Sequence, residues 1–179
     1  MARSARAPKV PGSMSEPLRL APLDLFIDPL LSFQDARLRE IHAYWERKRA
    51  GRPFPARMDV SPAEIVSHLP SLFLVDVVPP AHAIGDFRVR LMGTALNELF
   101  ARDFTGATLE GAFAGKPAAA IGRLLGIVCQ LRRPLRLHGR AVFSQAHPLT
   151  EVEAALMPLT TGTGTVDMVM GELVKRASA

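Results

Sequence analysis

The segment Phe87 to Gly106, FRVRLMGTALNELFARDFTG, constrains the fold more than any other stretch. Phe87, Val89 and Leu91 alternate with Arg88 and Arg90, the two-residue period of a strand with one buried face. Gly93-Thr94 breaks that period. Leu96, Leu99 and Phe100 then recur at helical spacing, and Asp103-Phe104-Thr105-Gly106 has the composition of a turn. A strand that runs directly into a short helix and a polar turn is how small sensor folds wall off a ligand cavity. The segment therefore points to a binding or sensing module without naming its ligand.

The flanking sequence supplies a sheet for this strand. Leu72 to Val78 is apolar except for Asp76 and reads as a buried strand, followed by a turn over Pro79 to Gly85. Lys116 to Arg133 reads as a helix with Ile121, Leu124, Leu125, Val128 and Leu131 on one face, ended by Pro134. Three strands are expected after it: Leu135 to Phe143, Glu151 to Leu159 and Thr165 to Val174. Thr160 to Gly164 joins the last two as a hairpin-type turn. Links this short require antiparallel pairing. The expected class is α+β, a five-stranded antiparallel sheet with helices on one face.

The N-terminal third differs in character. Residues 1–22 hold four prolines and no periodicity, and read as a disordered tail with a second candidate start at Met14. Residues 23–70 read as a helical extension ahead of a domain spanning 71–179. Leu23 to Phe33 is apolar but interrupted by Asp28-Pro29. Ser32 and Asp35 have capping-box spacing, Leu38, Ile41 and Trp45 follow as a narrow apolar seam, and Gly51 suits the stop. Ser61-Pro62-Ala63-Glu64 combines N-cap, proline and acid in the order that starts a helix, here expected to end near Pro70.

At 179 residues and 48% apolar content the chain can bury a core as one domain. Cys129 is the only cysteine, which rules out an intrachain disulfide and a cysteine-based metal cluster. A reducing cytoplasm is the expected compartment. No apolar run approaches the length needed to span a bilayer. Of the net charge of +5, three units come from Arg3, Arg6 and Lys9 in the tail. The basic balance is therefore poor grounds for a nucleic-acid surface.

The order of elements is similar to a PAS domain: two strands, a helical excursion, then three strands in a meander. Four stretches also resemble a family of stand-alone bacterial PAS-like proteins. They are Tyr44 to Arg52 (YWERKRAGR), Arg57 to Ile65 (RMDVSPAEI), Leu69 to Val77 (LPSLFLVDV) and Phe87 to Gly106. They run from about residue 40 to 110; beyond that only the element order agrees. The resemblance implies a sensory or interaction module with a cavity between helices and sheet. It carries over no ligand and no reaction.

On this reading the cavity candidates are Phe87, Val89 and Leu91 on the strand, Leu99 and Phe100 on the short helix, and Leu125 and Val128 on the longer one. Thr94, Asp103 and Thr105 either line its mouth or cap the local turns. Arg88, Arg90, Arg136, His138 and Arg140, joined by Glu153 and Asp167, make a charged sheet face. That face either binds an anion or acidic partner, or is a solvated surface of cross-strand pairs partly covered by the 34–50 helix. Leu38, Ile41 and Trp45 pack on their own sheet or on a second chain, and a homodimer is expected.

His42, His68, His82, His138 and His147 show no i, i+4 metal spacing. A haem needs one axial histidine, for which His68 and His138 are the residues to test, but neither haem nor flavin is expected. Cys129 reads as a packed residue and Gly162-Thr163-Gly164 as a turn. No nucleophile–base pair or paired carboxylates stand out, so no catalysis is expected. The competing readings are a nucleic-acid-associated protein, motivated by the arginine-rich 34–52 segment, and a small enzyme of the same shape. Against the first stand one Trp, one Tyr and the balancing acids of that segment.

Overall fold

A computed structural model of the chain describes residues 17–78, 87–113, 115–162 and 164–176. The expected turn over 79–85, His82, Thr163 and the first sixteen residues lie outside this set. In chain order the elements are β1 (Leu18–Arg19), β2 (Asp24–Asp28), α1 (Ala36–Arg49), β3 (Leu72–Val77), β4 (Phe87–Met92), α2 (Thr94–Phe100), α3 (Leu109–Ala112), α4 (Lys116–Leu131), β5 (Leu135–Ala141), β6 (Thr150–Leu159) and β7 (Met168–Lys175). The strands form one antiparallel sheet in the order β1-β2-β5-β6-β7-β3-β4. The class is α+β, as the hydrophobic periods imply, with seven strands in place of five.

The two additional strands come from the segment read as tail and helical extension. In β2, Leu25 and Ile27 face one core while Asp24, Phe26 and Asp28 alternate to the other side, paired in register with β5 from Asp24↔Arg140 to Asp28↔Arg136. The acids that looked like a break are answered across the strand pair. Asp24 meets Arg140 at 3.2 Å, and Asp28 meets Arg136 at 3.1 Å.

The sheet is covered on both faces. Strand β6 shows why: Val152, Ala154 and Leu156 enter one core with Leu124, Leu125 and Val128 of α4. Ala155, Met157 and Leu159 enter a second core with Leu38, Ile41 and Trp45 of α1. The seam offered as a dimer face is thus spent inside the chain. Leu38 and Ile41 are fully buried, and Trp45 donates its indole N–H to the Pro158 carbonyl at 2.9 Å. A cap at Asp35, whose carboxylate accepts from Arg37 N at 2.8 Å, starts α1. Its end at Ala50 is left-handed, with Gly51 following at φ 80°. The Ser61 start signal yields only 3₁₀ turns, Pro62–Glu64 and Leu69–Ser71, and the Ser61 hydroxyl makes no cap bond.

One sheet irregularity changes which side chains reach the cavity. The β3–β4 register shifts between Leu74 and Val75, so Val89 sits opposite Val75 while Leu91 sits opposite Leu74. This bulge inserts one residue and flips the facing beyond it. Leu91, expected inward, is 39% exposed, and Met92 takes its place on the cavity side. Leu91→Thr is therefore expected to alter unfolding free energy by no more than about 0.5 kcal/mol, as for an exposed position. A urea titration showing a core-sized loss would overturn that placement.

Candidate functional site

Between the sheet and helices α2–α4 lies a cavity of about 300 Å³. Its floor is the sheet, where Val75, Val89, Leu137, Val152, Ala154 and Leu156 point into it. Leu96 and Phe100 of α2 and Ile121, Leu124 and Leu125 of α4 form the roof. Every lining side chain is apolar. Four phenylalanines set one end: the Phe100 ring meets Phe104, Phe113 and Phe143 edge-on at 5.4, 5.6 and 5.1 Å between centroids. Such edge-to-face packing fixes ring positions and contributes about 0.5–1.5 kcal/mol per pair beyond area burial.

Another part of the wall is the turn between β1 and β2. Leu20 N donates to Leu25 O and Leu23 N to Leu20 O, at 2.7 and 2.9 Å, and Leu20, Leu23 and Leu25 all line the cavity. Arg123 on α4 donates to the Ala21 carbonyl from outside. Register with β5 ends at Asp24 opposite Arg140, and Val142, two residues further along the chain, is 72% exposed while still lining the cavity. The mouth is there.

Why α2 begins where it does is a matter of backbone approach. The Gly93 N–H donates to Leu72 O at 2.9 Å, and a Cβ on Gly93 would come within 2.3 Å of the Leu69 and Pro70 carbonyl oxygens. Only glycine lets the 3₁₀ turn Leu69–Ser71 press against the start of α2. Asp103 accepts from Thr105 N at 2.8 Å, which holds its carboxyl below the usual range, and Gly106 follows at φ 85°.

The cavity candidates read from sequence divide accordingly. Val89, Phe100 and Leu125 line it. Phe87, Leu99 and Val128 are buried but do not line it, and Leu91 is displaced by the bulge. Thr94, Asp103 and Thr105 are exposed and lie outside the lining; Gly93, not Thr94, is the N-cap of α2. Phe104, Phe113 and Phe143 were not singled out as lining residues: all three lie outside the helices and strands, and Phe143, expected as the end of a strand, lies past the end of β5 at Ala141.

The charged residues do not form one face. Three strands separate β4 from β5. On β4, Arg88 donates to Gly106 O at 3.0 Å and Arg90 pairs with Asp76 at 3.2 Å, both exposed. On β5, Arg136 is buried under α1, bound to Glu153 at 2.5 Å and to Asp28. His138 stacks on Phe26, and burial holds its imidazole below the usual value. The cross-strand pairs, exposed on β4 and covered on the α1 side at Arg136, fit the paired-surface reading, and an open anion site does not describe them.

The side of the sheet under α1 instead carries two fully buried carboxylates. Glu153 accepts from Gln34 N at 2.8 Å and Asp35 N at 2.9 Å besides Arg136. Burial pushes its carboxyl up, but the Gln34 N–H, Arg136 and the Asp35 N–H together hold it below the usual range. Glu172 accepts from Ser71 Oγ at 2.7 Å and Arg37 Nη2 at 3.1 Å, and lies 2.7 Å from His68 Nδ1. Together they pin the first turn of α1 and the 67–71 segment to the sheet. His68, one of the two haem candidates, is thereby engaged on the face away from the cavity, and none of the four described histidines, His138 included, lines the cavity. Among the described residues no group of three His, Cys, Asp or Glu is placed to hold a metal, and no helix is long and apolar enough to cross a membrane. Cys129 is half-buried on α4, and burial pushes its thiol up to about 11.

The sequence profile described as the PAS domain matches residues 33–174. No curated protein matches the chain in sequence. Similar solved structures include the PAS domain of Bordetella pertussis BvgS, at 14% identity and TM-score 0.46, covering 78% of this chain and 88% of that one. Another is an RNA-binding Light-Oxygen-Voltage receptor, at 17% identity and TM-score 0.44. It covers 68% of this chain, and the match spans 35% of the receptor.

Proposed function

Because the chain belongs to the PAS domain family, a family of sensory modules, we propose that it is a non-catalytic sensor whose input is a small apolar molecule held in the α2–α4 cavity. The observation that supports this is a wholly apolar void of about 300 Å³. Close-packed interiors leave few voids larger than a water molecule, whereas ligand pockets begin near that volume. Among the described residues the lining offers no imidazole for haem iron and no amide or hydroxyl side chain to fix a flavin edge. The ligand class is therefore an organic molecule with a large apolar part rather than either cofactor.

Binding would act through α2–α4, which supply most of the roof. A ligand that fills the cavity favours one packing of these helices over the sheet, and shifts the balance only by its difference in affinity for the two packings. The readout passes to a partner protein or a second copy of the chain in the cytoplasm. Leu38, Ile41 and Trp45 are not the surface for it, since they lie in the chain's own core.

Filling the cavity from its floor tests the reading. Ala154 is 1% exposed and points into the void, so Ala154→Leu extends a side chain where no atom stands. We expect wild-type protein to enhance the fluorescence of 1-aminoanthracene, and the variant to bind it roughly tenfold more weakly while unfolding at an equal or higher temperature. Equal probe binding in the two proteins, or no probe binding together with no small molecule extracted from purified protein, would sink the idea.

A further inference from the structure

We infer that the ligand of this cavity is a fatty acid, its chain inside and its carboxylate on Arg123; this rests on the cavity reading above. A lining without polar groups cannot hold a charge, because an ionised carboxylate left unpaired in such surroundings is heavily penalised. Any charged head must therefore stand at the mouth. Val142 and Pro117 are the two exposed residues of the lining, which puts the mouth beside the start of α4, and the Leu20–Leu23 turn also lines the cavity.

Arg123 is the cation at that point. Its Nη2 donates to the carbonyl of Ala21, in the middle of the turn that lines the cavity. That contact is to a neutral oxygen, so the guanidinium charge is unanswered: among the described residues Arg123 forms no ion pair. The neighbouring cations differ. Arg19 and Arg140 share Asp24, at 3.8 and 3.2 Å, on the opposite side of the sheet. Lys116, exposed and also without an ion pair among the described residues, sits two helical turns before Arg123 on the same side of α4, next to the lining residue Pro117. An exposed guanidinium with most of its five donors unused matches a carboxylate in both charge and geometry.

The test compares decanoate with 1-decanol, equal chains with and without the charge, by displacement of 1-aminoanthracene. Decanoate is expected to bind roughly tenfold more tightly in low salt, with the margin shrinking as salt is added. Arg123→Ala, an exposed substitution checked for an unchanged melting temperature, is expected to bring decanoate to the affinity of decanol and leave decanol unmoved. Equal binding of acid and alcohol to wild-type protein overturns the carboxylate and leaves the apolar cavity standing. A preference that survives Arg123→Ala overturns the assignment to Arg123. Failure of both chains and of the probe overturns the cavity reading itself. Co-sedimentation with phosphatidylglycerol vesicles, in protein that ignores decanoate, overturns the free acid in favour of a bilayer lipid.

Discussion

Trp45→Ala is expected to lower the unfolding free energy by about 3–5 kcal/mol, the range for removing a buried aromatic. The indole is 1% exposed, lies among Met157, Leu159 and Met168, and donates to Pro158 O on the central strand β6. Its removal leaves a void that the sheet cannot close, and a carbonyl without its partner. For a domain of this size the midpoint should fall by about 10 °C. The decisive control is mass. If the seam Leu38–Ile41–Trp45 belongs to the chain's own core, light scattering gives the same mass for both proteins below the transition. A near-neutral stability together with a changed mass would return the tryptophan to an interface.

The second large effect is expected at Glu153. Replacing it with alanine strands Arg136, itself 6% exposed, with Asp28 alone, and leaves the Gln34 and Asp35 amides without an acceptor. Removing one partner of a buried pair costs about 3–5 kcal/mol. The pH dependence carries the same information with a definite sign. The carboxyl is held below its usual 4.5 in the folded chain, so ionised Glu153 contributes its stabilisation above about that pH. That contribution is lost as pH falls through the lower folded value. Asp28 behaves alike, for burial raises it but the Leu30 and Ser32 amides and Arg136 bring it below 3.8. Denaturant midpoints followed from pH 7 downward should fall steeply for wild-type protein below about pH 4.5, and less steeply for Glu153→Ala. Parallel curves would mean that Glu153 is not the group that ionises there.

The sheet was legible where the period of two is clean: the strands at 72, 87, 135, 150 and 168 all have counterparts in the sequence patterns. Strand β2 was not, because its three alternate positions are Asp24, Phe26 and Asp28, and acids beside a proline read as a loop. Their arginine partners lie more than a hundred residues away, which no local pattern contains. The β4 bulge was equally hidden, since Phe87, Val89 and Leu91 continue the alternation through the point where the backbone inserts a residue. Glu153 and Glu172 were read as outward-facing or not singled out. A glutamate in a strand signals solvent unless the layer above supplies donors, and α1 supplies them here. Of the cavity wall, the part carried by regular elements was visible and the phenylalanines on irregular segments were not. The seam of α1 was visible too, but sequence alone left open whether its own sheet or a second chain would cover it.

Strand β6 divides its side chains between two unlike neighbours, apolar void on one side and carboxylate clamp on the other. That division limits how such a chain can change over evolutionary time. A single residue inserted or lost within β6 would carry Glu153 to the cavity and Ala154 beneath α1, exchanging the two environments along the rest of the strand. Divergence in this part of the chain is therefore confined to substitution within each parity class, and changes in length to the connections on either side. The hydrocarbon side can drift in volume, while the ionic side keeps its donors and acceptors matched. A lineage of such chains could vary the size and shape of its cavity without disturbing the clamp that holds α1 to the sheet.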